Sequence, residues 1–376
     1  MPKILEIPTT AEEITAVWLT NALKSTWIIG AETAVTSVTK TRIGEDEGFT
    51  GGTLHCCQLT YNTPTEKAPD SLIAKLAPTD PELRAAFKGS NRREVCFYTE
   101  LAAQSNLPVP HCYFGAFDSE TGATILLLQD LGYYRMVEFA TGCKPQDAQY
   151  AVQALATIHA QFWDDPRAQN LSGADGLDEF PMAELWSQYP QIVAELLPEI
   201  VIPPQFFAVG DMTVKNMDFL LNQLAEVAPI TCVHRDCHVD NILFGVNEGD
   251  APALILDWQS VGKGRGAYDI AYFLITSVPT EQRRQIEQTL LHDYHARLRQ
   301  LGVKDYSFEQ CWFDYRLAAI GKLVGTIIAT VLLDNSPPFK RSWRRTDLQR
   351  LLAFFADHKI EALLASFLDA GNKDSD

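Results

Sequence analysis

The 376-residue sequence predicts an α+β fold in two parts, and three observations point to it. The first third holds short runs rich in Thr, Val, Ile and Leu, separated by Gly, Pro and Asp, which read as the strands of an antiparallel sheet. From about residue 146 apolar residues recur at helical spacing almost to the end. Between those helices, residues 231–257 carry two short apolar runs, Ile242 to Phe244 and Ala253 to Leu256, flanking the turn-rich Val246-Asn247-Glu248-Gly249-Asp250. The boundary falls near Gly132, giving a sheet-bearing part, 1–131, and a larger mainly helical part, 132–376.

In chain order, Thr10-Ala11-Glu12-Glu13 has the form of a capping box, and Ile14, Val17, Trp18 and Ala22 follow at helical spacing, so a leading helix is expected. Strands are expected over 32–43 and 53–61, and the stretch between them, 44–52, supplies four glycines. Gly48, Gly51 and Gly52 make it a candidate phosphate-binding loop, because glycine lets backbone N–H groups approach a ligand closely. Without a G-x-G-x-x-G pattern an ordinary hairpin turn competes with that reading. Ser71 to Leu76 is an apolar strand with one cation, Lys75. A helix is expected from Pro81 to about Gln104. Strands over 109–116 and 123–128 complete a five-stranded antiparallel sheet. The helices that follow are expected at 146–163, 183–197, 212–226, 267–277, 281–301, 308–333 and 342–369.

The 231–257 hairpin would hold Asp236, Asn241 and Asp257 together. A hydroxyl attacking the γ-phosphorus of ATP needs a carboxylate to orient it and take its proton, which suits Asp236. Magnesium prefers hard oxygen ligands, and the amide oxygen of Asn241 with the carboxylate of Asp257 would suffice beside the phosphates. Each residue alone reads as a turn or cap residue. The ordered set D-x-x-x-x-N, strand, turn, apolar strand, D is much rarer.

His234 to Leu243 and Asp257 to Phe273 resemble the aminoglycoside phosphotransferase and choline kinase superfamily, and more narrowly its ecdysteroid-kinase-like branch. Asp257-Trp258-Gln259 and Tyr268-Asp269-Ile270-Ala271-Tyr272 match that superfamily's D-W-[QE] element and its Y-D-[IL]-A-[YF] helix. Arg235 departs from the glycine usual there. The resemblance implies a bilobal protein-kinase-like fold, ATP and Mg²⁺ as cofactors, and a small-molecule hydroxyl as acceptor. It implies that Lys75, paired with Glu94, faces the phosphates, and that backbone groups near Leu128, Gln129 and Asp130 hold the adenine edge. Asp269 would cap N–H groups or tie down the catalytic loop, and His159 reads as a core histidine. Only ten residues, Trp258 to Ala267, separate Asp257 from the next helix, too few for the activation segment of a protein kinase, so a small acceptor is expected. Trp312, Phe313, Tyr315, Trp343, Phe354 and Phe355 could line its pocket or pack the core.

Two other classes compete. His234 and His238 with Asp236, Asp240 and Asp257 could form a metal-hydrolase site, although an H-x-x-x-H pair needs a helix to face both imidazoles one way. A kinase-like chain that binds nucleotide without catalysis is the other, and its usual sign, loss of the base, the metal ligands or the lysine, is missing. Composition bounds the rest. Hydrophobic residues make up 46% and charged residues 21%, as in ordinary globular chains, and the formal charge of −17 argues against nucleic-acid or anionic-membrane partners. No basic leader with a continuous apolar run opens the chain, so a cytoplasmic enzyme is expected. Eight cysteines without a C-x-x-C pair read as reduced thiols.

Overall fold

The computed structural model describes residues 5–44, 52–63, 68–103, 105–171, 180–333 and 338–373. Its contacts divide the chain into two units: Met1–Tyr134 with Leu256–Ser260, and Arg135–Ile255 with Val261–Asp376. The short stretch around Asp257 therefore packs in the first unit, although the chain on either side of it belongs to the second.

The first unit is built on helix α1 (Ala16–Ser25) and strands β1 (Val35–Ile43), β2 (Thr53–Tyr61) and β3 (Ser71–Leu76). Helix α2 (Pro81–Cys96) and strands β4 (Cys112–Phe117) and β5 (Thr124–Gln129) complete it. The five strands form one antiparallel sheet in the order β1-β2-β3-β5-β4. Because side chains alternate along a strand, Leu72, Ala74 and Leu76 of β3 face one way, with Cys57 and Leu59 of β2 and Ile125 and Leu127 of β5. Trp18, Leu19, Ala22 and Leu23 of α1 close that core. Lys75 consequently points to the other face. Helix α1 starts later than the capping-box pattern suggests. Thr15 is its N-cap, accepting from Trp18 N at 3.2 Å, while Glu13 instead accepts from the N–H groups of Thr9 and Thr10 in the preceding turn. Val17, expected on the apolar face, is exposed.

Helix α2 is capped by Asp80 and continues as a single π-helical segment, Phe97–Ala102. Asn91, Glu94 and Val95 are its buried residues, and its last turn lies over residues 257–260. Phe97 stacks on Trp258 with ring centroids 3.8 Å apart. Arg93 Nε donates to the Gln259 carbonyl at 3.0 Å, and Gln259 Nε2 donates to Asn91 Oδ1 at 2.8 Å.

The second unit is mainly helical: α3 (Pro145–Gln161), the short α4 (Pro166–Gln169), α5 (Met182–Leu196), α6 (Pro204–Lys215) and α7 (Met217–Ala225) precede the segment 231–264. There β6 (Thr231–Val233), β7 (Ile242–Phe244), β8 (Ala253–Ile255) and β9 (Gly262–Gly264) form two small antiparallel pairs, β6 with β9 and β7 with β8. Helices α8 (Ala267–Ser277), α9 (Thr280–Gln300), α10 (Phe308–Leu317), α11 (Ala319–Leu332), α12 (Pro338–His358) and α13 (Ile360–Lys373) follow. The stretch expected as one helix over 212–226 is two, broken at Asn216, with the first beginning at Pro204. Those expected over 308–333 and 342–369 are likewise broken, at Ala318 and Lys359. Apolar periodicity runs through these joints because the same core face is buried on both sides of each, so periodicity alone does not mark them. By length and composition Phe308–Leu332 is apolar enough to cross a membrane, but 61% of its window is buried inside the protein, as in a core helix.

Candidate active site

In the first unit, β3 and α2 bring Lys75 and Glu94 together as the resemblance implies: Lys75 Nζ lies 2.7 Å from Glu94 Oε2. The same ammonium lies 2.9 Å from Asp257 Oδ1. Lys75 is 7% exposed and Glu94 2%. Burial disfavours the ammonium, but the charges of Asp257 and Glu94 outweigh it and hold the Lys75 pKa above its ordinary value. Burial also raises Glu94, and Lys75 opposes that, while Asp257 adds to it; the carboxyl sits up at about 7. The one ammonium stands between two carboxylates, of which Glu94, up at about 7, carries only part of its charge near neutral pH. A cation at Asp257, whose side chain is 23% exposed, would act beside Lys75 on that carboxylate. That chemistry fits a hard divalent ion on Asp257. Asp257 has a φ of +58°, the left-handed region that a non-glycine residue adopts only when its surroundings hold it there.

Among the expected loop glycines, Gly48 and Gly51 lie outside the described residues. Gly52 begins the approach to β2, where a Cβ would meet the Leu76 carbonyl oxygen at 2.3 Å, so no other residue fits without moving a strand. At the other end of the sheet, Leu128 is paired on both sides, to Ile73 and Cys112, and the Gln129 N–H donates to the His111 carbonyl at 2.8 Å. Asp130 accepts from the Ser71 hydroxyl and, at 3.0 Å, from the Gly132 N–H.

In the second unit the loop between β6 and β7 carries Asp236 and Asn241, and α8 holds it in place. Asp269, fully buried, accepts from the His234 N–H at 2.6 Å and the Arg235 N–H at 2.9 Å. Its Oδ2 also lies 3.1 Å from His159 Nε2, and His159 Nδ1 lies 2.8 Å from the Tyr294 hydroxyl. Burial works to raise Asp269, but the hydrogen bond and charge of His159, with the His234 contribution, hold it below the usual carboxylate value. Both expected roles are thus met: Asp269 ties down the loop and His159 is a core residue behind it. Further along α8, the Ser277 hydroxyl accepts from the Val239 N–H at 2.9 Å, and the Tyr272 hydroxyl donates to Asp236 Oδ1 at 2.7 Å.

Arg235 has a φ of +68°, which accounts for glycine as the usual residue there. Its guanidinium lies across Gly262, whose missing side chain makes the room, and donates to the Lys263 carbonyl at 3.0 Å. Asn241 Nδ2 donates to the Asp236 carbonyl at 2.9 Å, which turns the amide so that its Oδ1 is the atom left for a cation. The Asp236 side chain is 41% exposed.

The imidazoles serve protein contacts. His234 Nδ1 accepts from the Asp236 N–H at 3.2 Å, and His238 Nε2 lies 3.3 Å from Asn241 Nδ2. Among the described residues no group of three or more His, Cys, Asp or Glu is arranged to hold a metal ion. Of the aromatic residues considered for an acceptor pocket, Tyr315, Phe354 and Phe355 are buried in the core, whereas Trp343 stacks on Phe139 and approaches the His238 ring. No signal in the sequence marks Asn91, Lys322 or Asp347, whereas Arg93 and Phe97 lie in the stretch around Glu94, Arg93 to Tyr98, that resembles the family's helix, and Tyr272 is the last residue of the Y-D-I-A-Y match.

The fold is that of the kinase-like phosphotransferases. It resembles the solved structures of an ethanolamine kinase from Plasmodium vivax (13% identity, TM-score 0.50, covering 84% of this chain and 81% of that one). It also resembles a GDP complex of a mutant aminoglycoside 2′-phosphotransferase-IIIa (10% identity, TM-score 0.50, 91% and 98%). Residues 202–305 match the ecdysteroid kinase-like family, and that segment contains the catalytic loop, Asp257-Trp258-Gln259 and the Y-D-I-A-Y helix from which the resemblance was read. An uncharacterized kinase-like protein of Caenorhabditis elegans is 23% identical over 247 residues, 60% of this chain and 61% of that protein, so less than two thirds of that relative is matched.

Proposed function

We propose that the chain is an ATP- and Mg²⁺-dependent phosphotransferase that moves the γ-phosphate of ATP to a hydroxyl of a small molecule. The observation that carries this reading is the buried Lys75 ammonium shared by Glu94 and Asp257. It sets a phosphate-binding cation beside a carboxylate of the kind that holds a hard divalent metal. Glu94 keeps Lys75 in place and charged, so that the ammonium meets the α and β phosphates. Asn241 Oδ1 and Asp257 supply the protein's oxygen ligands to magnesium, with Gly52 and backbone groups near Leu128, Gln129 and Asp130 lining the nucleotide. Bound magnesium would screen the phosphate oxygens and the charge that develops on them in transfer. Asp236 orients the acceptor hydroxyl and takes its proton.

The kinase-like relatives support phosphate transfer to a small molecule, and the ten-residue span from Trp258 to Ala267 supports it over a protein acceptor. The test is nucleotide binding followed by turnover. ATP should raise the melting temperature only when Mg²⁺ is present, and ADP release should appear with at least one alcohol in a panel of amino alcohols, aminoglycosides, sugars and sterols. Asp236→Asn should lower turnover by roughly 10²- to 10⁴-fold while ATP affinity holds. Mg²⁺-dependent ATP binding without ADP release from any acceptor or from water would favour the nucleotide-binding, non-catalytic reading. No ATP binding at all would overturn both.

A further inference from the structure

Resting on the phosphotransferase reading, we propose that Tyr272 is a positioning residue: its hydroxyl holds one oxygen of Asp236, and a buried Lys322–Asp347 pair behind its ring fixes the plane of that ring.

The geometry is complete within the second unit. Tyr272 sits on α8, one turn beyond Asp269, so the helix that fixes the loop's backbone also reaches its functional side chain. The hydroxyl is 2.7 Å from Asp236 Oδ1 and the residue is 9% exposed, whereas the Asp236 side chain is 41% exposed. An exposed aspartate can turn about two side-chain bonds. One anchored through Oδ1 presents Oδ2 in a set direction, so the acceptor's proton meets an oxygen that need not be searched for. Behind the ring, Lys322 Nζ lies 5.2 Å from the Tyr272 centroid. Lys322 is 2% exposed, 2.7 Å from Asp347 Oδ2 and 2.8 Å from the Thr326 hydroxyl. A buried cation held over the ring face is attracted to it and keeps the ring from turning, so the hydroxyl stays on Asp236. Burial, and the charges of Asp236 and Asp347, push the Tyr272 phenol well above its ordinary range. It therefore stays protonated and donating and does not compete with Asp236 as the base. A tyrosine that merely satisfied its own hydroxyl would not need a buried ion pair placed on its face.

The test uses basal Mg·ATP hydrolysis, with water standing in for the acceptor, and reads ADP release. Tyr272→Phe keeps the ring and its contact with Lys322 and removes only the hydroxyl. It should lower kcat about 10-fold, with KM for ATP within about twofold, since a misplaced base loses rate without losing nucleotide binding. In an Asp236→Asn background the same substitution should leave the residual rate unchanged, because the two residues act as one unit. An unaltered kcat in Tyr272→Phe, or full additivity with Asp236→Asn, would overturn the role. If Tyr272→Phe does not melt cooperatively, Lys322→Met with Asp347→Leu decides. An apolar replacement of a buried pair is structurally tolerated, and it should lower kcat about threefold with KM for ATP unchanged; no change in kcat would sink the proposal. Failure of the underlying reading looks different, since the unsubstituted protein would then release no ADP from Mg·ATP, or Asp236→Asn would release it at the wild-type rate.

Discussion

Asp269→Asn tests how the loop bearing Asp236 is held, independently of any activity. The buried carboxylate takes two backbone N–H groups, from His234 and Arg235, and a third contact from His159. Asparagine has the same shape but offers one acceptor oxygen, and its NH₂ would be turned towards a donor. Hydrogen bonds to a charged acceptor are each worth about 1.5–3 kcal/mol, and breaking a buried charged network costs about 3–5 kcal/mol. At about 2–4 °C per kcal/mol for a unit of this size, the melting transition should fall by roughly 6–20 °C. The pH dependence has a definite sign. The Asp269 carboxyl is held below its ordinary value of 3.8, so its contribution is present above that pH and fades as the pH falls through the folded-state value. The gap between wild type and variant, followed by circular dichroism in urea, should be full at pH 7 and close at acid pH. A variant within about 1 kcal/mol of wild type at pH 7, or a gap that persists unchanged in acid, would refute the account of Asp269 as an ionised tie.

Lys75→Met strands Glu94 and Asp257 without their cation and should cost about 3–5 kcal/mol at pH 8, most of it recovered by adding Glu94→Gln; chemical denaturation of the four-member cycle checks it. In the wild-type protein the Glu94 carboxyl, raised from 4.5 to about 7, contributes stability that is full below 4.5 and lost as the pH rises through 7. Saturating Mg·ATP should flatten that dependence, which melting curves from pH 5 to 8 would show. Asp257→Ala leaves Lys75 and Glu94 as a balanced pair, so the melting temperature without ligand should be unchanged or higher while the ATP shift that requires Mg²⁺ disappears. A preserved shift would remove Asp257 from the metal site.

The fold class was legible because it rests on local patterns. The Thr-, Val- and Leu-rich run 53–61 and the apolar run 71–76 mark strands, and the mainly helical second part follows from its apolar periodicity. The β7–β8 hairpin is announced by its turn residues, and its observed register, Ile242 with Ile255, follows from them. Asp236, Asn241 and Asp257 stand out in the sequence as an ordered set of residue types, while the supporting contacts of Asp269 and His159 are ones the structure displays. The boundaries at Asn216, Ala318 and Lys359 were not, because a helix that turns a corner while keeping its core face leaves no mark in the spacing.

What the sequence determined by itself is the inventory: which segments bury a face, where the chain must turn, and which oxygen- and nitrogen-bearing side chains are available in which order. What only the tertiary structure decided is partnership. Lys75 meets Asp257 across 182 positions, Tyr272 meets Asp236 across 36, and Lys322 finds Asp347 from a neighbouring helix across 25. The reason is physical. Local propensity acts over a few residues through backbone sterics and burial, whereas a charge or hydroxyl finds its partner only when packing has removed the water that would otherwise satisfy it.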